Sequence, residues 1–334
     1  YMVGFRTIGG AAEENELTSI AVWYPSNRAR RSEYFTTVGP WRIRADKNVP
    51  PANGLFPVIL FSHDMTRHSL ANHDLCSALA EAGFVVIAPT HYGDNHTGAG
   101  ALFTAALYYH RPRQLRDALA AISSIPELKA VMNLQRVGVL GAGTGAGTAL
   151  QLAGVDIAPQ AYRGYCETPD ADAAYCGKWA ASRLARLEED AAELRSRHGA
   201  EVFKPLLPNM KAVGLLTPGG LFLMNRHDLV RVPLPCAPGF AQTDVLFSPP
   251  ADSEAMLRLF PAPLHNSVNT LTLKGVDHYS LGAPCPEQLL QTLPGLCGAT
   301  EAGARAKAAR DRDNYFISFF RAGLGVPLPP QKQE

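Results

Sequence analysis

The chain has 334 residues, 46% hydrophobic and 18% charged, with a formal net charge of +1. Such a composition supports a globular protein with a sizeable core, and no basic or acidic block argues for nucleic acid as a partner. No apolar run approaches the roughly 20 residues that a membrane-crossing helix needs.

In chain order, Leu17–Tyr24 alternates imperfectly and ends at Pro25, which reads as an early antiparallel strand. Residues 27–56 are rich in charge and proline and read as a long loop, with Arg28–Arg31 as its solvated part. Val58–Phe61 reads as a short buried strand. Leu75 and Leu79 mark a helix that Gly83 stops, and Phe84–Ala88 is a strand halted by Pro89. Pro112 suits the first turn of a helix whose core stripe is Leu115, Leu119 and Ile122. Val137–Leu140 is a strand that runs into small residues and then a helix with Ala149, Leu150 and Leu152. Residues 155–208 break the rhythm and read as an inserted lid, with Leu184, Leu187, Ala191 and Leu194 on one helix face. Strands resume at Ala212–Leu216, Val232–Ala237 and Val268–Leu273. The tail Ala302–Phe320 carries enough aromatic area to dock a last helix. Strands alternating with helices predict an α/β chain with a mostly parallel twisted sheet, helices on both faces and an inserted lid, all in one domain.

Six cysteines are present. Cys166 with Cys176, and Cys285 with Cys297, form two local pairs. Such pairs suggest disulfides and a secreted or periplasmic location. Cys76 and Cys236 fit buried thiols or a third bridge. Tyr1 in place of Met reads as a trimmed or mature start. His91, His96 and His110 lack the spacing of a metal site and read as polar surface, and Asn95-His96-Thr97 reads as a coincidental sequon. The run 141–147 has neither the acid nor the lysine of a nucleotide-binding loop, so no cofactor is expected.

Three segments carry a resemblance. Pro57–Met65 is similar to a strand that ends in Ser-His-Gly. Arg136–Leu150 resembles a G-x-S-x-G nucleophile elbow, and Val276–Ser280 with Ala283–Pro286 resembles a loop that bears a catalytic histidine. In this order they resemble the bacterial dienelactone hydrolase-like and platelet-activating-factor acetylhydrolase-like branch of the α/β-hydrolases. The resemblance implies a carboxylic ester hydrolase acting on a small apolar ester. Gly143 would hold the nucleophile position, His278 would be the base and Asp244 its acid. The backbone N–H groups of Met65 and Thr144 would form the oxyanion hole. Strict spacing from Gly239 would instead put Gln242 at the acid position, and Asp252 is a poorer candidate.

The chain departs from that pattern at three places: Asp64 replaces the glycine after His63, Ala142 a frequent histidine, and Gly143 the serine. A residue without a side chain cannot form an acyl-enzyme. Three readings follow: an esterase whose nucleophile has been replaced, a naturally serine-less lyase, isomerase or cyclase that uses His278 as base, and a ligand-binding pseudohydrolase.

Overall fold

The computed structural model describes residues 1–9, 19–29, 34–168, 171, 176–244, 246 and 270–326. Leu17, Arg30, Arg31, Asp252 and Val268 lie outside these residues. Nine strands form one sheet in the order β11-β10-β9-β8-β6-β7-β2-β1-β5. They are β1 Met2–Gly9, β2 Ser19–Ser26, β5 Asp46–Lys47, β6 Phe56–Ser62, β7 Val85–Thr90, β8 Met132–Ala142, β9 Met210–Leu216, β10 Cys236–Ala241 and β11 Leu271–Leu273. Pairing from β7 through β11 is parallel, whereas β1 and β2 run antiparallel beside it. The central strands β6 and β7 are buried at every residue, as parallel strands covered on both faces must be. A hairpin of β3 Thr36–Val38 and β4 Trp41–Ile43, together with β5, lies within the stretch expected to be a loop.

Alternation along the strands divides the core. Val58, Leu60 and Val139 face one layer, which is covered by α2 Ala105–Ser123 and α4 Gly145–Leu152. Ile59, Phe61 and Leu140 face the other, which is covered by α1 His73–Glu81 and the C-terminal helix Ala302–Gly323 through Phe316 and Phe320. Cys236 belongs to the first layer and Cys76 to the second. Both are free buried thiols, so there is no third bridge between them. The other four cysteines form Cys166–Cys176 and Cys285–Cys297.

Two expectations from the sequence need correction. Helix α2 begins seven residues before Pro112 rather than at it. The proline ring leaves the Tyr108 carbonyl without its helical donor, and the side chain of Gln151 in α4 supplies one instead (Nε2 to O, 2.8 Å). A satisfied carbonyl is what allows an interior proline. The tenth strand starts at Cys236, not Val232, and runs on to Ala241. This shift carries the residues after the strand further along the sheet.

The segment after α4 holds α5 Pro159–Cys166 and the helix Ala180–His198. Tyr162 and Tyr165 of α5 stack on Phe222 with ring centroids 5.3 and 4.2 Å apart. Leu184, Leu187 and Ala191 are buried on the long helix as its period requires, whereas Leu194 is half-buried.

On the opposite layer, Arg312 of the C-terminal helix is fully buried. Its guanidinium meets Asp74 of α1 at 2.9 Å and donates to the Leu281 carbonyl at 2.6 Å. Burial alone would push the Asp74 carboxyl up; the guanidinium pulls it below the ordinary range. Replacing Arg312 with Ala leaves that half-buried carboxylate, and Asp313 beside it, without their cation. Unfolding in urea should show a loss of about 3 kcal/mol.

Candidate functional site

The strands deliver the site at their C-terminal ends. β8 ends at Ala142, and the chain turns sharply through Gly143 (φ +54°) into α4. The turn is tight: a β-carbon at Gly141 would lie 2.0 Å from the Gly145 carbonyl oxygen, and one at Gly145 would lie 2.2 Å from that of Ser62. The elbow expected from the small residues is therefore present, with Gly143 at its apex.

Beside that apex stands Asp64, which the sequence marked only as a departure from the pattern. It follows β6, and its carboxylate fills the space in front of Gly143. A β-carbon at residue 143 would sit 1.8 Å from Asp64 Oδ1. Thr144 N–H donates to the same oxygen at 2.9 Å, and Met65 N–H also hydrogen-bonds the carboxylate. The two backbone donors expected to receive a substrate oxygen thus hold the carboxylate of a protein side chain. The other oxygen, Oδ2, lies 2.8 Å from His278 Nε2.

His278 opens the short turn Tyr279–Leu281 after β11. Its Nδ1 lies 2.9 Å from Asp244 Oδ2, so the imidazole spans two carboxylates. Asp244 reaches it because the loop after β10 is tied to the histidine loop. Thr243 donates to the Val276 carbonyl through both N and Oγ1, at 3.2 and 2.8 Å. Gln242 points elsewhere and accepts from Gly275 N at 3.1 Å. The two-residue offset between Gln242 and Asp244 is absorbed by this loop. Leu281, which closes the histidine turn, accepts from both Asn72 and Arg312, which anchors the turn to α1 and the C-terminal helix.

The charges fit this geometry. Burial alone would lower His278, but the hydrogen bonds and charges of Asp244 and Asp64 outweigh it and raise the imidazole to about 9. Burial alone would raise Asp64; His278 and the backbone donors bring it below the ordinary carboxylate range. The resting state is an imidazolium between two carboxylates.

A second layer lies beneath. Arg111 of α2 is buried and donates to Asp94 Oδ2 (2.9 Å), Thr144 Oγ1 (2.7 Å), Ser62 Oγ (3.2 Å) and the His63 carbonyl. Asp94 Oδ1 accepts from Thr66 N at 2.8 Å, so one ion pair fixes both the loop after β6 and the start of α4. Thr144 Oγ1 is engaged by this guanidinium. His91, expected at the surface, is fully buried between Ser62 (3.0 Å) and Gln114 (2.8 Å). Burial and the neighbouring guanidinium hold it neutral. His110 lies within α2, and His96 is exposed, its ring 5.1 Å from that of His68. The Asn95 side chain of the expected sequon is buried and donates to the His91 carbonyl at 2.6 Å.

Asp64 lies at the floor of a cleft of about 600 Å³ lined by Trp41, Arg67, His68, Tyr279 and Leu293. The Cys285–Cys297 segment forms one wall, and Ala299 just beyond it donates to Asp277 next to His278 at 2.8 Å. An apolar pocket on the other side of Thr144 is lined by Met65, Leu107, Leu187 and Phe222. Among the described residues, no group of three or more His, Cys, Asp or Glu stands together as metal ligands would. No helix among them is long and apolar enough to cross a membrane.

Comparison with known proteins agrees with this architecture. Residues 45–184 match the model of the dienelactone hydrolase family. No curated protein sequence matches the chain. Among solved structures, a ferulic acid esterase from Streptomyces cinnamoneus superposes with a TM-score of 0.58 at 14% identity, over 100% of this chain and 92% of the esterase. The sheet order, the elbow after β8, the histidine turn after β11 and the structural match together give the chain an α/β-hydrolase fold, with a stretch at residues 45–184 that is similar to the dienelactone hydrolase family.

Proposed function

We propose that the chain is a hydrolase of small apolar ester-type substrates in which Asp64, His278 and Asp244 are the working triad. Gly143 contributes space rather than a nucleophile. The observation that carries this reading is the Asp64 carboxylate in front of Gly143, within 2.9 Å of Thr144 N and 2.8 Å of His278 Nε2. A negative oxygen stands where a serine hydroxyl would otherwise meet the histidine. Asp64 supplies the negative oxygen for attack or proton removal, and the His278 imidazolium supplies the proton that the leaving oxygen takes. Asp244 holds the imidazole in register. The segment 155–208 is the lid of a single-domain enzyme, covering the apolar pocket beside Thr144. The two disulfides support a secreted or periplasmic setting.

The geometry does not favour a serine enzyme that has merely lost its nucleophile. In such a chain, putting serine back would complete the triad. Here a side chain at 143 collides with the Asp64 carboxylate. The filled oxyanion position favours a second reading, a pseudohydrolase whose Asp64 is only a plug. Turnover of substrate beyond one equivalent excludes it.

Three outcomes are expected. Asp64→Asn keeps the shape and removes the charge, and kcat/KM for p-nitrophenyl butyrate should fall by roughly a hundredfold or more. An unchanged value, with fold and urea midpoint intact, sinks the proposal. Gly143→Ser should not raise activity and should destabilise by about 1–3 kcal/mol, read from urea unfolding, because overpacking a filled site displaces Asp64. The third concerns pH. His278 sits above its ordinary 6.5 when folded, so its pairing stabilises fully below that value and is lost as pH rises through about 9. Activity and urea midpoint should fall together over that window, and in Asp64→Asn the break should move to lower pH.

A further inference from the structure

β9 ends at Leu216, and the chain then passes close to the elbow apex. Gly143 N–H donates to the Leu216 carbonyl at 2.9 Å, and Gly219 N–H donates to the Gly143 carbonyl at 3.1 Å. Thr217 lies between these two ties with φ +41°, in the left-handed region. A β-branched residue reaches that region only at a cost, and the ring of the following Pro218 restricts it further. Thr217 is 4% exposed, and its N–H is fixed to the Gly239 carbonyl at 2.7 Å. Strain of this kind persists only where the surroundings enforce it, and it collects at sites that do chemistry.

Thr217 lines a pocket of about 40 Å³ together with Asp64, Gly143 and His278. Roughly 10–15 Å³ holds one water, so this pocket suits water and is too small for the body of an ester. Other polar side chains on its wall already hold partners. Asn72 donates to the Leu281 carbonyl, Arg67 donates to the Leu296 carbonyl, and His278 spans its two carboxylates. Among the described residues, the Thr217 hydroxyl makes no hydrogen bond. We infer that Thr217 is a catalytic residue that holds the attacking water against Asp64, and that the site hydrolyses its ester by direct attack of that water, with no acyl group carried on the protein. The inference rests on the preceding reading of Asp64, His278 and Asp244 and adds to it the nucleophile and the residue that orients it.

Asp64 lines both the small pocket and the large cleft, so one carboxylate borders water on one side and ester on the other. The water accepts from the Thr217 hydroxyl and donates to Asp64 Oδ2, which keeps a lone pair beside its bond to His278. As the water oxygen bonds to the ester carbonyl carbon, its proton passes to Oδ2 and the carbonyl electron pair moves to the carbonyl oxygen. The tetrahedral adduct then reforms the carbonyl and breaks the bond to the alcohol oxygen. That oxygen leaves with the electron pair and takes the Nε2 proton of His278. The Asp64 proton passes to His278 and restores the resting pair. Ester and water become carboxylic acid and alcohol.

The test uses the full chain with p-nitrophenyl butyrate, each variant being checked for native unfolding behaviour. Thr217→Val keeps the shape and removes the hydroxyl, so kcat should fall about tenfold, as for one lost hydrogen bond, with KM unchanged. Thr217→Ser keeps the hydroxyl and should recover most of that loss. Thr217→Ala widens the pocket, and in water–methanol mixtures it should form a larger share of methyl butyrate than the native protein does. Native protein quenched during turnover and digested should carry no butyryl group by mass spectrometry. A native kcat in Thr217→Val overturns the inference, as does a Thr217→Ser as slow as Thr217→Val, an unaltered methyl butyrate share or a butyryl adduct on the native protein. If Asp64→Asn has lost ester hydrolysis in that case, the triad reading stands and only the water site falls. If Asp64→Asn keeps ester hydrolysis, both fall.

Discussion

One carboxylate organises this molecule's active face. Asp64 is bound on one side by the N-terminal end of α4, through Thr144 N–H, and on the other by the histidine turn after β11. The first follows β8, near the middle of the sheet, and the second follows β11 at its edge. An acid buried this deeply survives as an anion only where donors and a cation surround it, since an isolated buried charge costs several kcal/mol. The elbow supplies the donors and His278 the cation. Asp244 then keeps His278 charged, and the tie between the β10 and β11 loops keeps Asp244 in reach. Each member is stable only because the next is in place.

Arg111 and Arg312 play parallel roles on the two faces. Arg111 locks the loop that carries Asp64 to the helix that carries Thr144, and Arg312 locks the turn that carries His278 to α1. The site is therefore clamped from both core layers. Preorganisation of this kind matters more for electrostatic catalysis than any single contact, because fixed dipoles need not reorient when charge moves.

Much of this was legible in the sequence. The strand–turn–helix at 136–150, the histidine after the last strand and both local disulfides all read directly, because each depends on residues close together in the chain. The start of α2 did not, because the Gln151 amide that caps the Tyr108 carbonyl comes from another helix. The choice between Gln242 and Asp244 did not either, since loop slack has no periodicity. His91 read as surface because nothing local announces that Ser62 and Gln114 will enclose it. Asp64 was visible as an oddity, but its partner at 143 lies far along the chain. Only the parallel pairing of β6 with β8 brings the two together.

That pairing turns two departures into one. Removing a hydroxymethyl group at 143 opens space at the apex, and a carboxylate at 64 fills it. Either change alone is poor. A serine at 143 meets Asp64 well inside van der Waals contact, and a glycine at both positions leaves His278 with a single carboxylate and the two backbone donors without an acceptor. Together they fit without a clash, give Thr144 N–H an acceptor and place a fixed negative oxygen where a neutral hydroxyl would stand. On the proposed reading the exchange also moves the reactive group from the turn after β8 to the loop after β6, where it no longer rides on α4. The oxygen that accepts from Thr144 N–H and the oxygen that faces His278 then belong to one carboxyl group, so the elbow and the imidazole are held to a single side chain.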